Sequence, residues 1–110
     1  MDVISLVEFI ETDIFTRRIR RVLDDESYAA FQFDLAQNPA AGDLIPGSGG
    51  ARKIRWGGSG RGKRGGMRII YYWVREDREI YLIMAFTKNQ KHDLSRREVT
   101  ALAGVIRGLQ

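Results

Sequence analysis

Seven basic side chains, Arg52, Lys53, Arg55, Arg61, Lys63, Arg64 and Arg68, fall within seventeen positions of this 110-residue chain. Glycines interleave them, which lets a backbone approach a large ligand closely, and guanidinium forks match phosphate oxygens. Crowding like charges costs free energy that a bound polyanion would relieve. The segment therefore points to nucleic acid or its mimic, against a solvated hairpin tip or a surface that docks an acidic protein. Arg68 is the sharpest single position, because it opens the apolar run Met67-Arg68-Ile69-Ile70-Tyr71-Tyr72-Trp73-Val74. A charge at the mouth of a buried strand needs either an acidic partner or a function. His92 is the one histidine, in the polar stretch Lys88-Asn89-Gln90-Lys91-His92-Asp93. Histidine is the side chain whose ordinary titration lies near neutrality, so His92 is either a proton donor or an exposed loop residue. Tyr71, Tyr72 and Trp73 can stack bases or fill the core. No pair of carboxylates lies in the basic segment, so any phosphoryl chemistry there rests on cations stabilising a charged transition state.

These side chains need elements to hold them. Val3–Phe9 is apolar and β-branched and predicts a first strand. From Thr12 to Leu23, Phe15, Ile19, Val22 and Leu23 recur at helical spacing. Asp24 and Asp25 break that helix and cap a second, which carries Tyr28, Phe31 and Leu35 and stops before Asn38-Pro39. Residues 40–50 read as a loop. Ala51–Trp56 alternates, with Arg52, Ile54 and Trp56 on one face and Lys53 and Arg55 on the other. Gly57–Gly66 is a glycine-rich loop, and Met67–Arg75 and Glu79–Thr87 form a hairpin around Glu76-Asp77-Arg78. Ser95-Arg96-Arg97-Glu98 is a capping box ahead of Val99, Leu102, Ala103 and Ile106, which predicts a last helix. The order is β-α-α-β-β-β-α, an α+β class with a mainly antiparallel sheet of about four strands. Lys53, Arg55 and Arg68 can then converge across that sheet.

Composition narrows the function further. The net charge of +4 hides an uneven distribution: residues 1–43 hold nine acids and four bases, whereas residues 44–75 hold eight bases and no acid. The chain has no cysteine, so disulfides, thiolate nucleophiles and cysteine zinc sites are excluded. The uncharged run Ile80–Thr87 is far shorter than the roughly 20 residues of a membrane helix, and the early acids argue against a signal peptide. The expectation is one cytoplasmic domain over residues 1–110, without metal or cofactor.

Two familiar motifs are false matches. Gly57-x-x-x-x-Gly62-Lys63 mimics a P-loop, but Arg64 stands where Ser or Thr should hold Mg²⁺. Gly60-x-Gly62-x-x-Gly65 mimics a dinucleotide fingerprint. Both need a helix after the glycines to bind phosphate, and here a strand follows.

Three stretches, in order and at compatible spacing, carry a family resemblance. They are Asn38-Pro39-x-x-Gly42-Asp43-Leu44-Ile45-x-Gly47-x-Gly49-Gly50-x-Arg52-Lys53-Ile54-Arg55, Gly60-x-Gly62-Lys63-Arg64-Gly65-Gly66-x-Arg68-Ile69-Ile70-Tyr71-Tyr72, and Lys88-Asn89-x-x-x-Asp93-Leu94. The chain resembles the RelE/HigB family of type II toxin–antitoxin toxins, and most the HigB-like branch. The resemblance implies a ribosome-dependent endoribonuclease that cuts mRNA when a ribose 2′-hydroxyl attacks the adjacent phosphorus. It places the family's two second-strand cations on Lys53 and Arg55, and its third-strand arginine on Arg68. Asn89 stands where the family has an arginine after the fourth strand, and Ser95 where it has a tyrosine. Lys88 then supplies the missing charge and His92 a proton. Arg52, Arg61, Lys63, Arg64, Tyr72 and Lys91 are the implied RNA and ribosome contacts. The implied partners are ribosome, mRNA and a cognate antitoxin, HigA-like with a helix-turn-helix domain, and no membrane. Two other readings keep the fold: a ParE-like gyrase poison and a non-catalytic RNA-binding module.

Overall fold

The computed structural model describes residues 7–57, 66–88, 90–91 and 93–110. Among these the chain runs β1 (Glu8–Glu11), α1 (Asp13–Val22), α2 (Asp25–Gln37), β2 (Asp43–Leu44), β3 (Arg52–Trp56), β4 (Met67–Val74), β5 (Glu79–Thr87) and α3 (Arg96–Leu109). The strands form one sheet in the order β1-β5-β4-β3-β2. β1 runs parallel to β5, and the other pairings are antiparallel. The α+β class expected from sequence holds, with one more strand than the expected four. The additional strand is β2, whose two residues fall inside the stretch expected to be loop and are too few to show alternation. The first strand also differs: it runs to Glu11 rather than Phe9, while residues 3–6 of the expected strand lie outside the described residues.

Each helix begins at the polar residue its sequence offers. The Thr12 hydroxyl accepts from Phe15 N–H (3.1 Å) to cap α1, and donates to the Ile83 carbonyl (2.7 Å). Asp24 caps α2 by accepting from Ser27 N–H (2.7 Å). At α3 the expected capping box forms, with Ser95 and Glu98 each accepting the other's backbone N–H. These caps satisfy amides that have no partner inside the helix.

The sheet is the middle of three layers. On one face Phe15 and Ile19 of α1 and Phe31 and Leu35 of α2 pack on Met67, Ile69, Tyr71, Ile80 and Leu82. On the other, Leu102 and Ile106 of α3 pack on Ala51, Ile70, Ile83 and Phe86. Each Leu, Ile, Phe or Met side chain among them contributes on the order of 1.5–3 kcal/mol when fully buried. A bulge keeps both faces apolar. Ile70 pairs with Met84 but Tyr71 with Leu82, so Ile83 is an extra residue. Beyond it the alternation of β5 reverses: Phe86 and Met84, then Ile83 and Tyr81, join the α3 side. The Thr12 hydroxyl holds the carbonyl of the extra residue, which couples the start of α1 to the bulge.

Candidate functional site

The expected convergence of cations follows from strand register. β3 and β4 pair Arg55 with Arg68 and Lys53 with Ile70, so Lys53, Arg55 and Arg68 share the α3-side face of the sheet. They lie where β4 begins and where β3 and β5 end, and they line one concavity of about 420 Å³ with Ala41, Asp43, Ile54 and Asp93. Like charges directly opposite on neighbouring strands destabilise a sheet, so the Arg55–Arg68 pair is a position where an anion lowers the energy of the fold. Arg68 is only 9% exposed. Its Nη1 donates to the Gly66 carbonyl at 3.2 Å. Among the described residues the ion pairs are Lys53–Asp93 and Lys91–Glu98, so neither Arg55 nor Arg68 has a carboxylate partner there. The reading that Arg68 enters the sheet only to meet an acid finds no such acid among them.

Sequence reasoning missed the two carboxylates of this cleft. Lys53 Nζ donates to Asp93 Oδ1 at 3.1 Å, and the same oxygen accepts from Leu94 N–H at 2.8 Å. Asp43 arrives from β2, where it is the register partner of Lys53. Neither aspartate lies in the basic segment. Both stand inside the quoted motif stretches, at Gly42-Asp43-Leu44 and Asp93-Leu94, and that was the one signal for them. The Lys53–Asp93 pair is partly exposed, and such pairs are worth about 0–1 kcal/mol. A phosphodiester can therefore displace Asp93 from the ammonium at small cost.

The wall carrying Ala41 and Asp43 is held from beneath the sheet. Tyr71, fully buried, donates its hydroxyl to the Pro39 carbonyl (2.6 Å) and accepts from Gly42 N–H (2.9 Å). Burial pushes the Tyr71 hydroxyl above its ordinary pKa, against smaller lowering effects of the Gly42 N–H and the Arg52 charge. It thus keeps the proton it donates. Arg52 adds a second fastening, with Nη1 on the carbonyls of Gly42 (2.8 Å) and Ala40 (3.2 Å). A Cβ at Gly42 would sit 2.9 Å from the Tyr71 ring and 3.0 Å from the Lys53 carbonyl, so the close approach requires glycine.

The remaining expected contacts are spread differently. Arg52 faces the α1–α2 side of the sheet, away from the cleft, on the backbone it fastens. Tyr72 packs on the α3 side, with its ring beneath Gly50 and its hydroxyl accepting from Gln110 Nε2 (3.2 Å). Gly50 has φ +118°, a conformation that favours glycine. Lys91 bonds Glu98 and sits 5.8 Å from the ring of Phe86, the register partner of Arg68. That bond, and then the Ser95 amide, hold the Glu98 carboxyl below its ordinary pKa. Lys88 is exposed one residue beyond β5. His92, Arg61, Lys63 and Arg64 lie outside the described residues, as does Asn89. Among the described residues no three His, Cys, Asp or Glu side chains converge as a metal site, and no helix is long and apolar enough to cross a membrane.

The three-layer fold has counterparts among known proteins. The model of the RelE toxin of the RelE/RelB toxin–antitoxin system matches residues 9–109. The chain therefore belongs to the RelE family of type II toxins. A free-state double-arginine variant of E. coli RelE superposes with a TM-score of 0.59 at 16% identity, covering 93% of this chain and 97% of that one. The intact E. coli RelBE toxin–antitoxin complex matches with a TM-score of 0.55 at 15% identity over 72% of this chain and 93% of that one. Isolated E. coli RelE gives 0.55 at 14% identity, over 94% and 99%. At such identities the likeness is one of fold.

Proposed function

We propose that this toxin is a ribosome-dependent endoribonuclease that cuts mRNA in the cleft of Lys53, Arg55 and Arg68. The observation that carries the reading is the β3–β4 register, which puts three cations on one face of a single concavity. In the reaction the ribose 2′-oxygen bonds to the adjacent phosphorus and the bond to the 5′-oxygen breaks. The products are a 2′,3′-cyclic phosphate and a 5′-hydroxyl, the proton lost by the 2′-hydroxyl being balanced by one gained at the leaving oxygen. Arg55 and Arg68 neutralise the non-bridging oxygens as negative charge grows on the phosphorane. Lys53 exchanges Asp93 for a phosphate oxygen. Lys88 adds positive charge beside the cleft, His92 supplies the proton to the leaving group, Arg61, Lys63 and Arg64 grip ribosomal RNA, and Lys91 is a further RNA contact. With every phosphate ligand cationic, positioning of the strand by the ribosome contributes a large part of the rate.

A toxin of this kind works in the cytoplasm under the control of a cognate antitoxin, here one of the HigA-like, helix-turn-helix kind. The test is brief induction in cells with and without that partner, followed by mapping of RNA 5′ ends. The expected result is cuts within translated codons that disappear when the partner is co-expressed. DNA breaks without RNA cuts would replace the reading with gyrase poisoning. Salt-sensitive RNA binding without a cut product on translating ribosomes would replace it with a non-catalytic module.

A further inference from the structure

A second concavity, of about 450 Å³, lies along α1, lined by Ile14, Arg17, Arg18, Arg21 and Val22 of the helix and by Gln90 beyond β5. Its residues include three arginines and no carboxylate, whereas the cleft at Lys53 sets two aspartates against its three cations. Among the described residues none of the three arginines makes an ion pair. Compensation of the helix dipole accounts for Arg21 but not for Arg17 and Arg18. Arg20 and Arg21 already occupy the last turn of α1, and Arg17 and Arg18 lie before it, where like charges three and four residues apart repel. Such a cluster is favourable when an anion occupies it.

Described residues that follow β5 line both concavities. Gln90 lines the second, Asp93 lines the first, and Lys88 and Lys91 stand in the same stretch. Gln90 is pinned there, its side-chain carbonyl accepting from Thr87 N–H (2.8 Å) and from the Thr87 hydroxyl (3.2 Å). One continuous polyanion crossing this stretch meets cations on both sides of it. Ile14, 54% exposed, gives the second concavity an apolar wall against which a ribose can lie.

We propose that the Arg17–Arg18–Arg21 concavity is a second binding site for RNA phosphodiester backbone, separate from the cleavage cleft. The proposal rests on the RNA-directed reading above. The test is the variant Arg17→Gln/Arg18→Gln/Arg21→Gln, with Arg18→Glu as a milder second variant, each checked for native helicity by circular dichroism. Binding is titrated between 50 and 300 mM salt against a fluorescent single-stranded RNA of about 15 nucleotides and, separately, against ribosomes. Three lost phosphate contacts should weaken binding about ten- to hundredfold near 0.1 M salt and flatten the log–log salt slope by about 2. Loss with the oligonucleotide assigns the site to the cleaved strand, and loss with ribosomes alone assigns it to ribosomal RNA. Unchanged affinity and slope in both arms overturn the proposal, and so does a variant that loses only its antitoxin. Cleavage is scored in parallel: RNA binding that depends on α1 without any cut product refutes the nuclease reading and leaves this site standing.

Discussion

Arg52 and Lys53 are neighbours on one strand with opposite employment, and the contrast extends to both faces of β3 and β4. On the α1–α2 face, Arg52 and Tyr71 turn their polar atoms onto the backbone at residues 39–42. Those groups are spent within the fold. On the α3 face, Lys53, Arg55 and Arg68 line an open cleft, and their one ion pair among the described residues is the partly exposed Lys53–Asp93 pair. One face builds the wall of the site and the other offers charge to a ligand. Substitutions on the two faces should therefore fail in different ways.

Arg68→Ala should give the largest effect on activity. Removing one preorganised donor from a developing oxyanion typically costs about 10²–10³ in rate. Stability should change little, because the lost packing of a nearly buried side chain is set against relief of repulsion from Arg55. Cleavage on translating ribosomes and a thermal melt read the two quantities separately. A variant that melts early and still cuts at the wild-type rate would reverse the assignment of the faces.

Tyr71→Phe is the counterpart on the other face. It leaves the Gly42 N–H and the Pro39 carbonyl without their buried partner, at a cost of about 1–3 kcal/mol. A melting point lowered by several degrees for each kcal/mol lost is expected. Cleavage should fall less than in Arg68→Ala, since all three cations remain and only the wall with Ala41 and Asp43 loosens. Full stability in this variant would show that the two hydroxyl bonds hold nothing.

What could be read in advance follows the same division. Local signals with a strict period were legible: the capping box at Ser95, the helix stop before Asn38-Pro39 and the alternation that separated Arg52 from Lys53. Convergence of Lys53, Arg55 and Arg68 was also legible, because an antiparallel pairing of two well-patterned strands leaves few registers. The carboxylates were not, since Asp43 and Asp93 come from a two-residue strand and a turn, where no periodicity exists. Nor was the use of Tyr71 and Arg52 as fasteners. Residue type suggests stacking or phosphate binding for both, and only the path of residues 38–43 over the sheet assigns them to the backbone. The parity change at Ile83 was hidden for a related reason: a continuous apolar run such as Ile80–Phe86 shows no break where a bulge occurs.

Two smaller effects sharpen the account of the open face. Asp93→Asn removes the carboxylate that competes for Lys53, so RNA should bind a few times more tightly at low salt, in line with the modest worth of a partly exposed pair. The difference should shrink as salt rises. Unchanged affinity at all salt concentrations would mean that Asp93 does not compete with phosphate at Lys53.

The smallest effect concerns the edge of the face, where Lys91 and the Ser95 amide hold Glu98 ionised at the start of α3. The Glu98 carboxyl lies below its ordinary pKa in the fold, so the unfolded chain binds this proton more readily. The resulting stabilisation is complete above the ordinary carboxylate range of about 4.3 and is lost as pH falls through the lowered native value. Glu98→Gln should therefore melt slightly below wild type at pH 7, and the gap should close towards the acid limit. A gap that stays constant with pH would attribute the difference to the cap geometry at Ser95 rather than to the charge that Lys91 meets.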